Sequence, residues 1–566
     1  MLNIFRRRPR SQDSEIAPDE ILLDSSNLPE FDQDQLEGRI EQPLSRRTLL
    51  LAGVTLSFLS LVLIARAADL QMIRGGAFAA QARDNQLLQT PIFADRGAIV
   101  DRTGALLAYN NRTSVNEDFA ARVYSTLSGL GHVLGYVKPP AKDSAGEYYR
   151  PDFLPVGGAE KAYNDLLAGH NGLTLTEEDA RGRVVSQAQV EPPATGQKVA
   201  LSIDAQVTHG LYEAIAGRAE AAHAQGGAGV VMDVRTGEIL ALTSYPEYSP
   251  QTLSDGDAAA IKNYNTDSRQ PFLDRALTGL YAPGSIVKPV VATAGLTEGV
   301  ITPQTQILST GSISIQNPYD PAHPTVFKDW RVNGLMTVRD AIAVSSDVFF
   351  YEVGGGFPGS PGLHAQQGLG ISKLDQYFSM FGFGQDTGLK GFPEQTGNIP
   401  TPQWKAENFP DDPTWRLGDT YHTAIGQYGM QLTPLQAARE AAALASGTLL
   451  TPTLLASSTP QRAALAVDPQ ALQIVREGMR QGVTSGIATA INFPFVQPAA
   501  KTGTAQVGAH NEYQNAWMIG FWPYDNPKYA YAVVLEKLPA GTLIGGSAVA
   551  SDFFNFLRDN APQYLN

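Results

Sequence analysis

Thr48 to Ala65 (TLLLAGVTLSFLSLVLIA) carries 18 residues without a charge, most of them apolar. As a helix it would measure about 27 Å, close to the hydrocarbon core of a bilayer. Arg46 and Arg47 stand directly before it, with Arg6, Arg7, Arg8 and Arg10 further upstream. That bias puts the N-terminus in the cytoplasm and the rest of the chain outside. A buried helix of a soluble core and a cleaved signal peptide, cut at Ala65-Arg66-Ala67, are the two alternatives. Uniform apolarity argues against the first. The length of the run and the nearly fifty residues ahead of it argue against the second. The expectation is an uncleaved, single-pass anchor over 48–68.

Beyond the anchor the patterns change repeatedly. Phe93 to Asn110, around Arg96-Gly97-Ala98-Ile99-Val100-Asp101-Arg102-Thr103-Gly104, reads as strand, tight turn and strand. Residues 111–200 are mixed, with a short helix expected at Ala159–Leu167 and a joint at Glu191-Pro192-Pro193. Ala205 to Ala224 has helical period and stops before Gly226-Gly227. Ala228–Asp233 and Glu238–Leu242 then read as a hairpin closed by Arg235-Thr236-Gly237. Helical stretches follow at 285–298, 337–352 and 433–446. Strands return at Ala516–Phe521 and Tyr529–Glu536, about a turn at Asp525-Asn526-Pro527. A sheet built from both ends of a domain, with helices between, predicts a layered α/β or α+β architecture.

Length and composition narrow the classes. At 566 residues the chain needs more than one core. A net charge of −14 argues against nucleic acid as a partner, and the absence of cysteine excludes disulfides and thiolate chemistry. Residues 11–42 are rich in Asp and Glu and poor in large apolar groups, so 1–47 is expected to be a disordered cytoplasmic tail. Residues 69–200 form a small irregular outer module, and 201–566 the main domain.

Three short elements carry the chemistry. Ser285 is the one serine followed three residues later by a lysine, in Pro283-Gly284-Ser285-Ile286-Val287-Lys288-Pro289. That spacing on a helix puts hydroxyl and amine on one face, where the amine can serve as base. A helix N-terminus at Ser285 would also favour developing negative charge. Ser345-Ser346-Asp347 is common as a bare pattern, since Ser-x-Asn or Ser-x-Asp recurs at 25–27, 114–116 and 202–204. This copy stands out because it ends the helical run Val338–Val344 and leads into Val348-Phe349-Phe350-Tyr351. Lys501-Thr502-Gly503-Thr504 is expected on an edge strand, where a cation and two hydroxyls can hold a carboxylate and the glycine admits a substrate backbone. Taken singly, each element could be incidental. Their order and their separations of 60 and 156 residues point to a serine acyl-transferase of the kind that handles penicillin and D-Ala-D-Ala peptides. No Gly-x-Ser-x-Gly elbow, His-Glu-x-x-His or Gly-x-x-x-x-Gly-Lys loop competes, and the eight histidines are expected to be surface or packing residues.

With these motifs the chain resembles a class B penicillin-binding protein, a membrane-anchored peptidoglycan D,D-transpeptidase. The likeness runs over most of 45–566 and takes in Arg96-Gly97…Asp101-Arg102-x-Gly104, Ala228–Leu242, Asp274-Arg275-Ala276-Leu277, Gly418-Asp419-Thr420, Ile425-Gly426-Gln427, Thr433-Pro434-Leu435-Gln436 and Lys501–Ala505. A second motif ending in Asp347, followed by Phe349-Phe350-Tyr351, is most like the elongation type, penicillin-binding protein 2. The resemblance implies an α+β fold: a β-lactamase-like domain, its central antiparallel sheet flanked by helices, on a small irregular pedestal behind one transmembrane helix. It implies that Ser285 attacks the carbonyl between two D-alanines, Lys288 takes its proton and Ser345 shuttles a proton to the leaving amine. Asp347 would orient Lys288 and contact substrate, Lys501 would polarise the site, and Thr502 or Thr504 would hold the terminal carboxylate beside Gly503. The oxyanion would sit on the N–H groups of Ser285 and Thr504. No cofactor or metal is implied.

Implied partners are stem peptides, β-lactams, a SEDS-type membrane glycosyltransferase and rod-complex scaffold proteins, at the bacterial cytoplasmic membrane. About 130 residues between anchor and catalytic domain leave no room for a fused glycosyltransferase, and residues 111–150 are short and irregular for a pedestal head. A D,D-carboxypeptidase or β-lactamase on the same fold, and a penicillin-binding sensor or scaffold, are the alternatives.

Overall fold

The computed structural model describes residues 45–78, 87–112, 118–178, 184–317, 320, 322–357 and 367–565. Residues 1–44 of the expected tail, with the acidic run and the upstream arginines, lie outside the described residues. Two units separate near Leu87. In the first, Ser45 accepts from the Thr48 N–H and caps a helix over Arg46–Ala68, continued by a π turn at Asp69–Ile73. None of its residues is buried, and its mean hydropathy of 2.4 makes it a candidate membrane span.

The second unit is built around a five-stranded antiparallel sheet in the order Ile239–Tyr245, Gly226–Asp233, Tyr529–Pro539, Tyr513–Trp522, Ala499–Val507. Both faces are covered, so its strands read as nearly continuous apolar runs. Alternation along one strand sends Trp517, Ile519 and Phe521 into one core and Met518 and Trp522 into the other. Helices Ala205–Ala221 and Gly546–Asn560 close one face, and Pro434–Ser446 lies on the other.

Three expectations need correction. The stretch 337–352 is two helices, Val338–Val344 and Asp347–Gly355, broken at Ser345. The stretch 285–298 opens as a 3₁₀ turn, Gly284–Val287, before the α-helix Lys288–Thr297. The helix expected at Ala159–Leu167 is split into Gly158–Ala162 and Asn164–Leu167.

Ahead of the catalytic sheet, a four-stranded sheet runs in the order Val199–Ala200, Ile99–Val100, Leu106–Asn111, Ala121–Tyr124. Asp101 closes its turn, accepting from the Thr103 and Ala105 N–H groups at 2.8 and 2.9 Å. Its other oxygen accepts from the Ala205 N–H at 3.1 Å, tying this sheet to the helix Ala205–Ala221. Beneath the sheet, Glu160 is fully buried. It accepts from Arg96 Nε at 2.6 Å and from Arg122 Nε at 2.8 Å, one guanidinium to each oxygen. Residues 136–156, which looked irregular in sequence, hold two small antiparallel pairs, Tyr136–Lys138 with Leu154–Val156 and Ala141–Lys142 with Tyr148–Arg150.

Candidate active site

Ser285 sits in the 3₁₀ turn, and the chain ahead of it is pinned. Tyr281 pairs both ways with Leu432 at 3.0 Å, and Trp517 Nε1 donates to the Ala282 carbonyl at 2.9 Å. Gly284 has φ +58°, the left-handed region that glycine enters without a Cβ clash. A side chain there would meet the Thr504 carbonyl at 2.6 Å, and one on Gly426 would collide with the Gly284 carbonyl. Gly503 is hemmed in as closely, without a left-handed backbone. A Cβ on it would stand 2.7 Å from the Pro283 carbonyl and 2.8 Å from Ile286 Cγ2. Here the glycine of the Lys-Thr-Gly-Thr element lets the edge strand lie against the turn carrying Ser285, a role that sequence assigned to an approaching substrate.

Lys288 opens the α-helix, with Pro289 in its first turn, where the missing N–H costs no bond. Its buried Nζ donates to Asp347 Oδ1 at 2.6 Å and to the Ser345 carbonyl at 2.9 Å, and lies 3.4 Å from Ser345 Oγ. No hydrogen bond joins it to the Ser285 hydroxyl among the described residues. Lys501, wholly buried, reaches Ser345 Oγ from the other side at 2.8 Å and donates to the Thr502 carbonyl at 2.8 Å. One hydroxyl thus lies between two amines. Burial, aided by the neighbouring Lys288 and only partly offset by Asp347, holds the Lys501 amine well below the ordinary lysine range.

The strand Ala499–Val507 separates residues that the sequence grouped together. Lys501 and Gly503 are on its buried face, whereas Thr502, Thr504 and Gln506 line the cleft. The cleft holds about 910 Å³, and Ser285, Ser345, Asp347, His422 and Tyr428 line it too. A chamber of this size accommodates a peptide-sized ligand.

Ser345 is the left-handed cap of the first of the two broken helices, with φ 60° and ψ 44°. For a residue with a side chain this costs about 1–2 kcal/mol. Ser346 caps the next helix, accepting from the Phe349 N–H and donating to Asp329 Oδ2 at 2.6 Å. Burial pushes the Asp329 carboxyl up, but donors from Ser346, Asp347, Ser309 and Val348 outweigh it and hold the group below the ordinary carboxylate range. Asp329 lines the cleft and escaped sequence reasoning, because three of its partners, Ser309, Ser346 and Val348, lie 17 to 20 residues away. His422, expected to be a surface or packing residue, also lines it, flanked by Phe327 and Tyr428. Burial lowers its pKa, against the pull of Asp419 and Asp347. No group of three or more metal-ligating side chains occurs among the described residues.

Comparison with known proteins extends this geometry. Residues 227–556, more than half the chain, match the family described as "Penicillin binding protein transpeptidase domain", and 114–201 match "Penicillin-binding Protein dimerisation domain". The peptidoglycan D,D-transpeptidase MrdA of Escherichia coli K12 is 28% identical, over 89% of this chain and 93% of its own length. Pseudomonas aeruginosa PBP2, solved in complex with WCK 5153, superposes with a TM-score of 0.64 at 29% identity, covering 83% of this chain and 96% of that one. Helicobacter pylori PBP2, solved in complex with MreC, gives 0.67 at 26% identity, covering 84% and 99%.

Proposed function

Because this chain belongs to the penicillin-binding protein transpeptidase family, we propose that Ser285 is the nucleophile of a peptidoglycan D,D-transpeptidase of the elongation type. The enzyme cross-links stem peptides in the wall growth that maintains cell shape; its MrdA relatives are named peptidoglycan D,D-transpeptidases. The observation that carries the residue assignment is the meeting of the three motifs: Ser345 Oγ lies 3.4 Å from Lys288 and 2.8 Å from Lys501, in the cleft that Ser285 lines.

In the first half-reaction Ser285 Oγ bonds to the carbonyl carbon between the two D-alanines, and Lys288, acting as the free amine with an N–H still donated to Asp347, takes the hydroxyl proton. The oxyanion rests on the Ser285 and Thr504 N–H groups, each such donor being worth roughly 3 kcal/mol. The C–N bond then breaks, and Ser345 passes a proton to the departing D-alanine amine, replenished from the lysines beside it. Thr502 and Thr504 hold the terminal carboxylate at the cleft wall. In the second half an acceptor amine attacks the ester, loses its proton to the same relay, and Ser285 regains its own.

Residues 201–566 are the transpeptidase domain, 69–200 the pedestal and 48–68 the single-pass anchor. The N-terminus is then cytoplasmic and the cleft lies outside the cytoplasmic membrane. The basic residues ahead of the helix support that orientation. By analogy with the Helicobacter pylori complex, one partner is a protein of the MreC kind, and the family resemblance adds a SEDS-type glycosyltransferase. The test is gel labelling with a fluorescent penicillin, wild type beside Ser285→Ala. A band lost only in the variant is expected, and retained labelling would sink the assignment. Product analysis with and without an acceptor amine then separates transpeptidation from hydrolysis.

A further inference from the structure

Ser345 holds its left-handed backbone between two helices, and one dipeptide reaches both of its flanks. On the C-terminal side, Asp329 Oδ2 accepts from Ser346 Oγ at 2.6 Å and from the Val348 N–H at 3.2 Å. On the N-terminal side, Trp330 Nε1 donates to the Val344 carbonyl at 3.1 Å. Asp329 is itself fixed by Ser309 Oγ at 2.9 Å and Asn333 Nδ2 at 3.1 Å. Trp330 remains 53% exposed, so burial of its ring does not account for its placement. A helix cap needs only Ser346, and a second, buried carboxylate behind that cap is more than capping requires. Strained residues of this kind persist where their surroundings over-determine them.

We propose that Asp329 and Trp330 are positioning residues of the acyl-transfer reaction, clamping Ser345 from both flanks so that its hydroxyl stays between Lys288 and Lys501. This rests on the functional reading above. Neither residue needs to touch the reacting atoms. Each acts through the backbone on either side of Ser345, and letting that backbone relax to a helical or extended conformation would swing Oγ away from both amines.

The experiment is acylation kinetics of the full-length protein in detergent with a fluorescent penicillin, resolved into non-covalent affinity and acylation rate constant. Asp329→Asn should lower the rate constant about 100-fold, the cost of a displacement of order 1 Å, with affinity unchanged. Trp330→Phe keeps a ring but loses the N–H, and should cost about fivefold. In a Ser345→Ala background both losses should vanish, because the group they position is gone. Equal losses in both backgrounds would overturn the proposal. So would a loss confined to affinity or thermal midpoint, or no loss at all. Trp330→Phe keeps the test open if Asp329→Asn does not fold. Labelling that survives Ser285→Ala would refute the functional reading itself, an outcome read separately from the cycle.

Discussion

The pedestal and the cleft each bring two cationic side chains near one carboxylate. In the pedestal, Glu160 gives one oxygen to Arg96 and the other to Arg122, and the guanidiniums also donate to Asn164 and Asn110. In the cleft, Asp347 serves Lys288 alone, and Lys501 is left with a serine hydroxyl and a peptide carbonyl. The charge count is the same, but the chemistry differs. Arginine does not release its proton in proteins, so the pedestal cluster is a permanent, geometrically fixed joint. Lysine does, and burial beside a second cation weakens its hold, so the cleft has a proton to move. The choice of cation separates the structural cluster from the reactive one.

Exchanging cation type in the cleft should break this contrast most strongly. Lys288→Arg keeps a positive charge but removes the base, and penicillin acylation should fall by about 10³-fold. Glu160→Gln strips the pedestal pair of its counter-charge. It should lower the unfolding free energy by roughly 3–5 kcal/mol in denaturant titration, while folded protein still labels at Ser285. Glu247 sharpens the comparison, because it accepts from the Gly129 and Gly131 N–H groups at 2.6 and 2.7 Å. Burial pushes it to about 7 from an ordinary 4.5, against those amides and with Glu213 adding to the rise. The folded state therefore binds this proton more tightly than the unfolded chain. Its contribution to stability should be highest below about 4.5, decline as pH rises to about 7, and level off above. Glu247→Gln should flatten that decline, by at most roughly 3 kcal/mol, in thermal midpoints measured across the window. The smallest effect is expected for Asp347→Asn, which keeps a hydrogen-bonding partner for Lys288 and should slow acylation about tenfold.

Much of the frame was legible because it depends on local pattern. Apolar runs and turn residues foretold the Gly226–Tyr245 hairpin and the two C-terminal strands, and helical period foretold Ala205–Ala221 and Pro434–Ser446. The three motifs were legible as spacings, and the fold brings them to one cleft. What was missed depends on tertiary contacts or on a single dihedral. The polar residues Ser345-Ser346-Asp347 end the helical run Val338–Val344, but residue type alone does not betray the left-handed dihedral that divides 337–352. Asp329 has no local signature of its place at the site, since the partners that tie it there are Ser309 on one side and Ser346 and Val348 on the other. Reading Lys501 together with Thr502 and Thr504 overlooked the period of two that puts the amine beneath the cleft and the hydroxyls along it.

The three glycines packed around the nucleophile also bear on resistance. At Gly284 and Gly503 the nearest obstacle to a side chain is backbone about 2.6–2.7 Å away, and at Gly426 it is the Gly284 carbonyl itself. A mutation at any of them displaces Ser285 and harms the cell's own wall synthesis along with the drug's reaction. This wall of the site is therefore expected to tolerate almost no side chain at these positions. Escape has to come from the rim, at residues such as Gln427, Tyr428, Gln506 and Asn511, whose side chains line the cleft and can change shape without moving the serine.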